Sequence, residues 1–349
     1  MYELDFSTVE TNLTNTLGGG LAQEILNILN SNQSTQTDTL QITQYVPNIE
    51  IPSDTDLLII ESQFSSQLTT IPTGPSAIII GGSTGVTVTL PNTNDQFVQF
   101  GSGRDVVSVG NGLASDFVDL GAGDDQFTGA NVRDQVIAGT GTNALNLRGG
   151  DDSVDLSNGS NSVDGGTGFD SAYIGGKSTD YDVKVVNGAV VVTNKLTGDI
   201  NTIFNTEYVK FGDGHVVINV QTAEQAAIAR IYEVVLNREA DAAGIKFWST
   251  NFAPTKDGVV ELATKMLASD EFTNDHGAAS SLSNLDFLKA LYHNAFERDI
   301  DAGGQQFWLD QLSGGMTRGE VAVRFAFENE AQQKFEGMVN VIKTMSNPS

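Results

Sequence analysis

Apolar residues recur at different spacings along this chain, and each change of spacing marks a new segment. Residues 1–30 carry apolar side chains three and four positions apart behind a capping-box pattern, which predicts two short helices. Short runs rich in β-branched residues follow at 57–60, 77–80 and 86–90 and predict strands. The sequence therefore predicts a capping module of short helices and strands over residues 1–75.

From about residue 92 the pattern takes a nine-residue period. An acidic or amide residue begins each repeat, an apolar or small residue follows two positions later, and glycines precede many of the acids. The repeated positions are Asp95, Asp105, Asp116, Asp125, Asp134, Asn143, Asp152, Asn161 and Asp170. Their intervals are ten, eleven and then nine six times in succession. Such a register predicts a solenoid in which each repeat makes a glycine-rich turn and one short strand.

This pattern resembles the G-G-x-G-x-D-x-U-x array of the repeats-in-toxin (RTX) family over residues 92–176. The resemblance implies a parallel β-roll, which we place at 76–176, and Ca²⁺ as its cofactor. It further implies that the nine repeated Asp and Asn residues are the metal ligands, and that the protein is exported by type I secretion. Asp suits this role because Ca²⁺ takes six to eight hard oxygen ligands.

Two repeats complete one coil of a β-roll, so alternate repeats are expected to stack on the same side. One column then holds Asp105, Asp125, Asn143 and Asn161, and the other holds Asp116, Asp134, Asp152 and Asp170. Stacked strands lie ~4.8 Å apart, where two carboxylates repel by about 1 kcal/mol even in water. A cation relieves this repulsion, so we expect the all-Asp column to bind Ca²⁺ more tightly. The alternative is a metal-free solenoid in which Asp and Asn only stabilise turns.

A β cap is predicted behind the repeats. Residues 177–220 alternate apolar and polar positions around Asn187-Gly188, a strong hairpin signal. The whole chain is therefore predicted to be a multidomain β + α protein. Its parts are a parallel β-roll or β-solenoid with short N-terminal helices, an antiparallel β cap, a C-terminal all-α domain and a tail at 339–349.

The all-α domain is predicted over residues 221–338, where helical spacing occurs in two copies sixty residues apart. Arg238–Gly244 corresponds to Arg298–Gly304, and Trp248 corresponds to Trp308. This segment resembles a helical domain of unknown function that is attached to secreted RTX proteins, and it is also similar to phycobilisome linkers. Within it we interpret Asp241 and Asp301 as helix caps and the tryptophans as core anchors. A glycan-binding platform formed by the tryptophans is the alternative.

Catalytic motifs are weak in this sequence. Gly81–Gly85 fits the G-x-S-x-G pattern around Ser83, but the nucleophile elbow needs a helix next, and 86–90 reads as a strand. The three histidines, His215, His276 and His293, have no metal-ligand spacing. We therefore predict that the chain is not an enzyme.

Charge and cysteine content narrow the classes of partner. The chain has 44 acidic and 18 basic residues, for a formal net charge of −26, and no Lys or Arg precedes Arg104. This charge repels nucleic acid and anionic membranes and attracts cations. No apolar run approaches the ~20 residues that a membrane helix needs, so we expect no membrane insertion. Because the chain contains no cysteine, it cannot form disulfides, and a bound metal is expected to stabilise the fold outside the cell.

These observations lead to one main functional hypothesis. The chain is expected to be a secreted, extracellular calcium-binding protein of the cell surface or matrix, such as a surface-layer or filament subunit. Its folding and its assembly with copies of itself are expected to depend on Ca²⁺, with cell-surface glycans as a further partner class. The alternatives are a soluble RTX-type adhesin or binding module, and the remnant of a secreted enzyme or toxin with activity in residues 1–90.

Overall fold

The computed structural model describes residues 2–4, 40–45, 47, 50–60, 65, 69–91, 93–220, 223–252, 255–327 and 339–341. The helices predicted near the N-terminus lie outside the described residues. The chain divides into two compact units, one comprising Met1–Thr206 with Lys210–Asp213, the other Glu207–Val209 with Gly214–Ser349. Across the described ranges, no helix has the length and apolar character needed to cross a membrane.

The first unit is a parallel β-solenoid of about six turns, as the nine-residue period predicts. Its first sheet contains, in spatial order, β1 (Tyr2–Leu4), β2 (Leu40–Gln44), β3 (Leu57–Ile60), β4 (Ala77–Ile80), β6 (Phe97–Gln99), β8 (Phe117–Asp119), β10 (Gln135–Ile137), β12 (Ser153–Asp155) and β14 (Ser171–Ile174). Its second sheet contains β5 (Thr87–Leu90), β7 (Val106–Val109), β9 (Gln126–Thr128), β11 (Thr142–Asn146) and β13 (Ser160–Asp164). Consecutive strands alternate between the sheets from β4 to β14, so one coil holds two repeats.

The solenoid core is a thin layer of inward-facing apolar side chains. Val136 pairs in register with Val118 on one side and with Val154 on the other, and all three are buried. Successive residues of a strand point to opposite faces, so the neighbours of Val136 point outward. The apolar position of each repeat is therefore the one that fills the core.

Parallel pairing begins before the repeats do. Strand β2 pairs in parallel with β3, and β3 pairs in parallel with β4. Leu58 and Ile78 are fully buried in register with each other, like the valines of the later coils. The first sheet thus extends into residues 1–75, for which the sequence predicted a separate capping module. Inward-facing apolar residues are sufficient to add a coil here, without the glycine and aspartate of the later turns.

The predicted antiparallel cap follows the last coil. It consists of β15 (Tyr181–Val186), β16 (Ala189–Asn194) and β17 (Ile200–Phe204), which pair antiparallel in this order. Asn187 and Gly188 both have positive φ, 51° and 87°, as a two-residue type I′ hairpin turn requires. Strand β17 then pairs in parallel with β13, so the cap adds one more strand to the second sheet.

The second unit is mainly helical. Its helices are α1 (Ala223–Leu236), α2 (Ala242–Asn251), α3 (Lys256–Leu267), α4 (Asp270–His276), α5 (Asn284–Phe296), α6 (Ala302–Ser313) and α7 (Arg318–Phe327). Strand β18 (Tyr208–Phe211) is divided between the two units, and β19 (Val216–Val220) pairs in parallel with β20 (Val339–Val341).

The helices follow the sixty-residue offset of the duplicated motif. Helix α2 begins at Ala242 and α6 at Ala302, and the equivalent helices α1 and α5 pack against each other, as do α3 and α7. At the first of these contacts the buried Asn294 of α5 donates to the backbone oxygen of Val234, its equivalent in α1, over 3.2 Å. The two copies therefore share one core.

A close approach between a tyrosine and a glycine explains part of the duplicated motif. The indole N–H of Trp248 donates to the Tyr232 hydroxyl over 2.6 Å. That hydroxyl lies so close to Gly244 that any side chain there would overlap it, and Gly304 has the same relationship to Tyr292. Glycine is required at both positions because only a hydrogen atom fits beneath the phenol.

Candidate metal centre

The repeated Asp and Asn residues form two columns, one at each turn of the coil. Strand pairing places Asn143 directly beside Asn161, and it places the residues that follow Asp134 and Asp152 beside each other. Extended over all coils, the register gives one column of Asp105, Asp125, Asn143 and Asn161 and another of Asp116, Asp134, Asp152 and Asp170. The column membership predicted from the spacing is confirmed. Hereafter these are the mixed column and the aspartate column.

Asp95 does not belong to either column. Phe97 pairs with Phe117, so the position beside Asp116 is held by Gln96, and Asp95 stands one residue out of register. Asp95 is exposed and accepts the backbone N–H of Ser115 over 2.8 Å. The intervals of ten and eleven that follow Asp95 mean that the first turns are longer, and those extra residues displace it.

The eight column residues are buried, with exposed fractions between 1 % and 3 %. In six of them one oxygen accepts the backbone N–H of the residue at the matching position one coil earlier. Asp152 accepts from Asp134 over 2.7 Å, and Asp125 accepts from Asp105 over 2.7 Å. Asp134 instead accepts from Ala130 within its own turn, over 2.9 Å. The columns thus connect each turn to its neighbour.

In five of the column aspartates the second carboxylate oxygen lacks a hydrogen-bond donor. The atoms concerned, among the described residues, are Oδ2 of Asp105, Asp116, Asp125 and Asp152 and Oδ1 of Asp134. A buried oxygen that carries charge and has no partner is costly, by several kcal/mol where the carboxylate is fully ionised. Each of these side chains therefore needs either a cation or a proton.

Burial accordingly raises the pKa of the carboxyls at four column positions from the ordinary value of 3.8. The pKa of Asp116 and of Asp152 reaches about 7. The pKa of Asp125 and of Asp134 reaches about 6. Desolvation is the largest cause in all four, opposed by the backbone hydrogen bond, and at Asp152 the neighbouring carboxylates of Asp170 and Asp134 raise the pKa further. At pH 7 and without metal, Asp116 and Asp152 are therefore about half-protonated, whereas Asp125 and Asp134 are mostly ionised.

The amide end of the mixed column needs no cation. Asn143 Nδ2 donates to Asn161 Oδ1 over 2.9 Å, and Asn161 Nδ2 donates to Asn201 Oδ1 over 2.7 Å. Asn201 lies on β17 in register with Asn161, so the cap extends this column by one residue. Sequence spacing missed Asn201 because forty residues separate it from Asn161.

The turns are packed too tightly for side chains at several glycines. Gly139 has φ 74°, and a Cβ there would overlap the carbonyl oxygen of Gly121 one coil earlier. Gly168 has φ 132°, and a Cβ there would likewise overlap the carbonyl oxygen of Gly150. Backbone oxygens of successive turns are therefore stacked beside the columns, where only glycine permits their approach.

These features fit a hard cation better than they fit a transition metal. The described residues contain no group of three or more His, Asp or Glu side chains that could hold a metal ion by themselves. The columns offer single carboxylate oxygens beside glycine-rich turns, so carbonyl oxygens and water must complete any coordination. Mixed carboxylate, carbonyl and water ligation is typical of Ca²⁺.

The other candidates from the sequence occupy structural positions. Ser83 lies in the turn between β4 and β5, and the element that follows is strand β5, as predicted. His215 Nδ1 lies 3.2 Å from Glu239 Oε1, the ring of His276 contacts Phe272, and His293 is exposed on α5.

The predicted helix caps are confirmed. Asp241 Oδ1 accepts the Gly244 N–H over 2.7 Å at the start of α2, and Asp301 Oδ1 accepts the Gly304 N–H over 2.8 Å at the start of α6. Trp308 is buried, as expected of a core anchor, whereas Trp248 is only half-buried.

Comparison with known proteins gives one match. Residues 263–335 match a family model described as a domain of unknown function (DUF4214). The matched segment begins within α3 and includes the second copy of the duplicated motif. No curated protein matches the chain, and no solved structure does. The coils match no family model of RTX repeats, although their parallel solenoid is compatible with an RTX β-roll.

Proposed function

We propose that this chain is a secreted calcium-binding protein with a structural or adhesive role at the cell surface or in the extracellular matrix. Ca²⁺ acts in this proposal as a folding cofactor of the solenoid. The single observation that carries the proposal is the set of buried carboxylate oxygens without hydrogen-bond donors in the two columns. No catalytic activity is assigned to the chain.

The aspartate column is the stronger of the two proposed sites. Asp116, Asp134 and Asp152 each have a buried oxygen without a donor, and bound Ca²⁺ would supply the positive charge that these oxygens need. In the mixed column only Asp105 and Asp125 have such oxygens. The next two residues of that column, Asn143 and Asn161, form a hydrogen bond between their side-chain amides. The proposal therefore places weaker binding there, confined to its aspartate end.

Self-assembly outside the cell is the second part of the proposal. A chain of net charge −26 repels its own copies until cations reduce that charge. Subunits of a surface layer or filament must contact neighbours in two directions, and a duplicated helical unit offers two similar surfaces. Calcium would then control folding and assembly together.

A soluble adhesin or binding module is the second candidate. Phe247 and Phe307 occupy equivalent positions on α2 and α6, and each is about half exposed, 51 % and 50 %. Large aromatic side chains at matching exposed positions favour contact with a partner. The enzyme-remnant alternative concerns residues 1–90, which are described only in part.

Chelation tests the proposal. Circular dichroism of the full chain should show the β signal of the solenoid weakening and melting at a lower temperature when EDTA removes Ca²⁺, while the helical signal of the second unit persists. Adding Ca²⁺ back should restore the signal and raise the melting temperature, because binding to the folded state alone stabilises it. Mg²⁺ at the same concentration is the control and should restore less. A spectrum and melting temperature unchanged by EDTA would exclude calcium-dependent folding.

A further inference from the structure

Strand β15 forms the C-terminal edge of the second sheet. In the spatial order of that sheet it stands at the end, next to β16 alone among the described strands. An edge strand carries a row of backbone N–H and C=O groups that can pair with another strand. At this end the second sheet can therefore grow by one strand.

The hairpin turn decides which residues of β15 present these groups. In a two-residue hairpin the pair that flanks the turn, here Val186 and Ala189, exchanges hydrogen bonds, and so does every second pair after it. The bond of 3.0 Å from the Lys195 N–H to the Asp180 oxygen follows this alternation at the far end of the hairpin.

Val183 and Val185 lie between the bonded pairs, so their N–H and C=O groups point away from β16. No hydrogen bond joins these groups to another described residue. Their outward direction suits an incoming strand that runs antiparallel to β15.

The side chains of β15 are complementary to β15 itself. Asp182 and Lys184 are both exposed and lie on the same face. If a second copy of β15 pairs antiparallel about a two-fold axis through Val183, the two Val183 residues exchange both of their backbone hydrogen bonds. Asp182 then lies directly opposite Lys184 of the second copy, twice in the same contact. The residues with outward backbone groups and the residues with opposite charges thus require the same register.

The surrounding charge also permits such a contact. The chain as a whole carries −26, yet residues 177–199 contain three lysines and three aspartates. A lysine on an edge strand ordinarily discourages pairing. Here Lys184 disfavours every register except those that place a carboxylate opposite it.

We propose that the β15 edge is a self-docking surface, through which two copies of this chain join their second sheets into one continuous sheet. The contact uses no column residue and does not depend on calcium ligation, although it would supply one of the self-contacts of the proposed assembly. A single six-residue strand buries less area than a standard stable interface. The expected dimer is therefore weak and concentration-dependent.

Charge reversal tests the proposed register. Lys184→Asp places two carboxylates opposite each other at both contacts, and Asp182→Lys places two lysines there. Sedimentation equilibrium of the full chain with Ca²⁺ present should show self-association weakened about tenfold or more in each variant. An equimolar mixture of the two variants should associate as well as the native chain, because both pairs of a mixed contact then have opposite charges.

Lys177→Asp is the matched control, since it makes the same charge change at an exposed position outside the strand and should leave association unchanged. Recovery in the mixture also shows that both variants are folded. A native chain that stays monomeric at high concentration would overturn the proposal, and so would single variants that associate normally. Calcium titration of the same samples distinguishes this outcome from failure of the calcium proposal, because neither substitution touches a column.

Discussion

The backbone N–H of Asp134 donates to Asp152 Oδ1 over 2.7 Å, from one coil of the solenoid to the next. This bond satisfies one oxygen of the buried carboxylate and holds it in the column, while Oδ2 of Asp152 is left without a donor. The same geometry that aligns the aspartates thus leaves one oxygen without a donor in five of the buried column carboxylates, and a bound cation would neutralise this charge. The proposed calcium dependence therefore rests on the architecture of the turn and not only on the number of acidic residues.

Asp152→Asn should change stability in opposite directions with and without metal. The amide keeps the hydrogen bond from Asp134 and removes a buried charge, so the calcium-free protein should gain about 1 kcal/mol at neutral pH. With saturating Ca²⁺ the variant should be less stable than the native chain, because a ligand charge is lost. Melting curves in EDTA and in Ca²⁺ measure both effects, and an equal destabilisation in both buffers would contradict the account.

The calcium-free solenoid should lose stability as pH rises from 5 to 8. The pKa values of Asp116 and Asp152 are about 7 in the folded chain, against 3.8 ordinarily, so the folded state binds more protons than the unfolded state between these values. This stabilisation is complete below pH 3.8 and is lost as pH passes through about 7.

Thermal melts followed by the β signal in EDTA should therefore show a melting temperature at least about 5 °C lower at pH 8 than at pH 5. Saturating Ca²⁺ should reduce this dependence, because the metal competes with the protons. The double variant Asp116→Asn/Asp152→Asn is the control and should show a flatter profile. A melting temperature that rises with pH in EDTA would contradict the assignment.

The amide ladder should stabilise the solenoid independently of calcium. Asn161→Ala breaks the bonds to Asn143 and Asn201 and leaves buried polar groups without partners, at a cost of about 1–3 kcal/mol. The loss should be equal in EDTA and in Ca²⁺. Asn146→Ala, at an exposed position of β11, is the matched control and should change stability by less than about 0.5 kcal/mol.

Gly244→Ala should destabilise the helical unit through the Tyr232 hydroxyl. The new methyl group overlaps that hydroxyl, and relief of the overlap is expected to cost about 1–3 kcal/mol. In a Tyr232→Phe background the same substitution should cost less, because the overlapping oxygen is gone. Denaturation followed by the helical signal gives the four stabilities of this cycle, and equal costs in both backgrounds would show that the overlap is not the cause.

Much of the solenoid could be predicted from the sequence because its period is regular. The constant nine-residue interval fixed which of Asp134, Asn143 and Asp152 share a column, and the structure has the same membership. The interval gives no guidance where a turn changes length, and for this reason it did not reveal that Gln96 lies beside Asp116 and that Asp95 is one residue out of register.

Other features depend on contacts between distant segments. Asn201 enters the mixed column only after the chain has made an antiparallel hairpin, so no local spacing reveals it. The oxygens without donors depend on the direction of each side chain within the turn, which residue type and interval do not determine. Strands β2 and β3 join the parallel sheet through buried apolar residues alone, without the glycine and aspartate that mark later coils.

Calorimetric titration of Ca²⁺ into the full chain and four single variants tests the central claim most directly. Asp134→Ala and Asp152→Ala each remove a carboxylate from the aspartate column, whereas Asn143→Ala and Asn161→Ala remove amides that are hydrogen-bonded to one another or to the cap. The account predicts that the native chain binds Ca²⁺ and that the aspartate variants lose affinity about tenfold or more, with smaller losses in the asparagine variants. A native chain that takes up no Ca²⁺, or equal losses in all four variants, would contradict it.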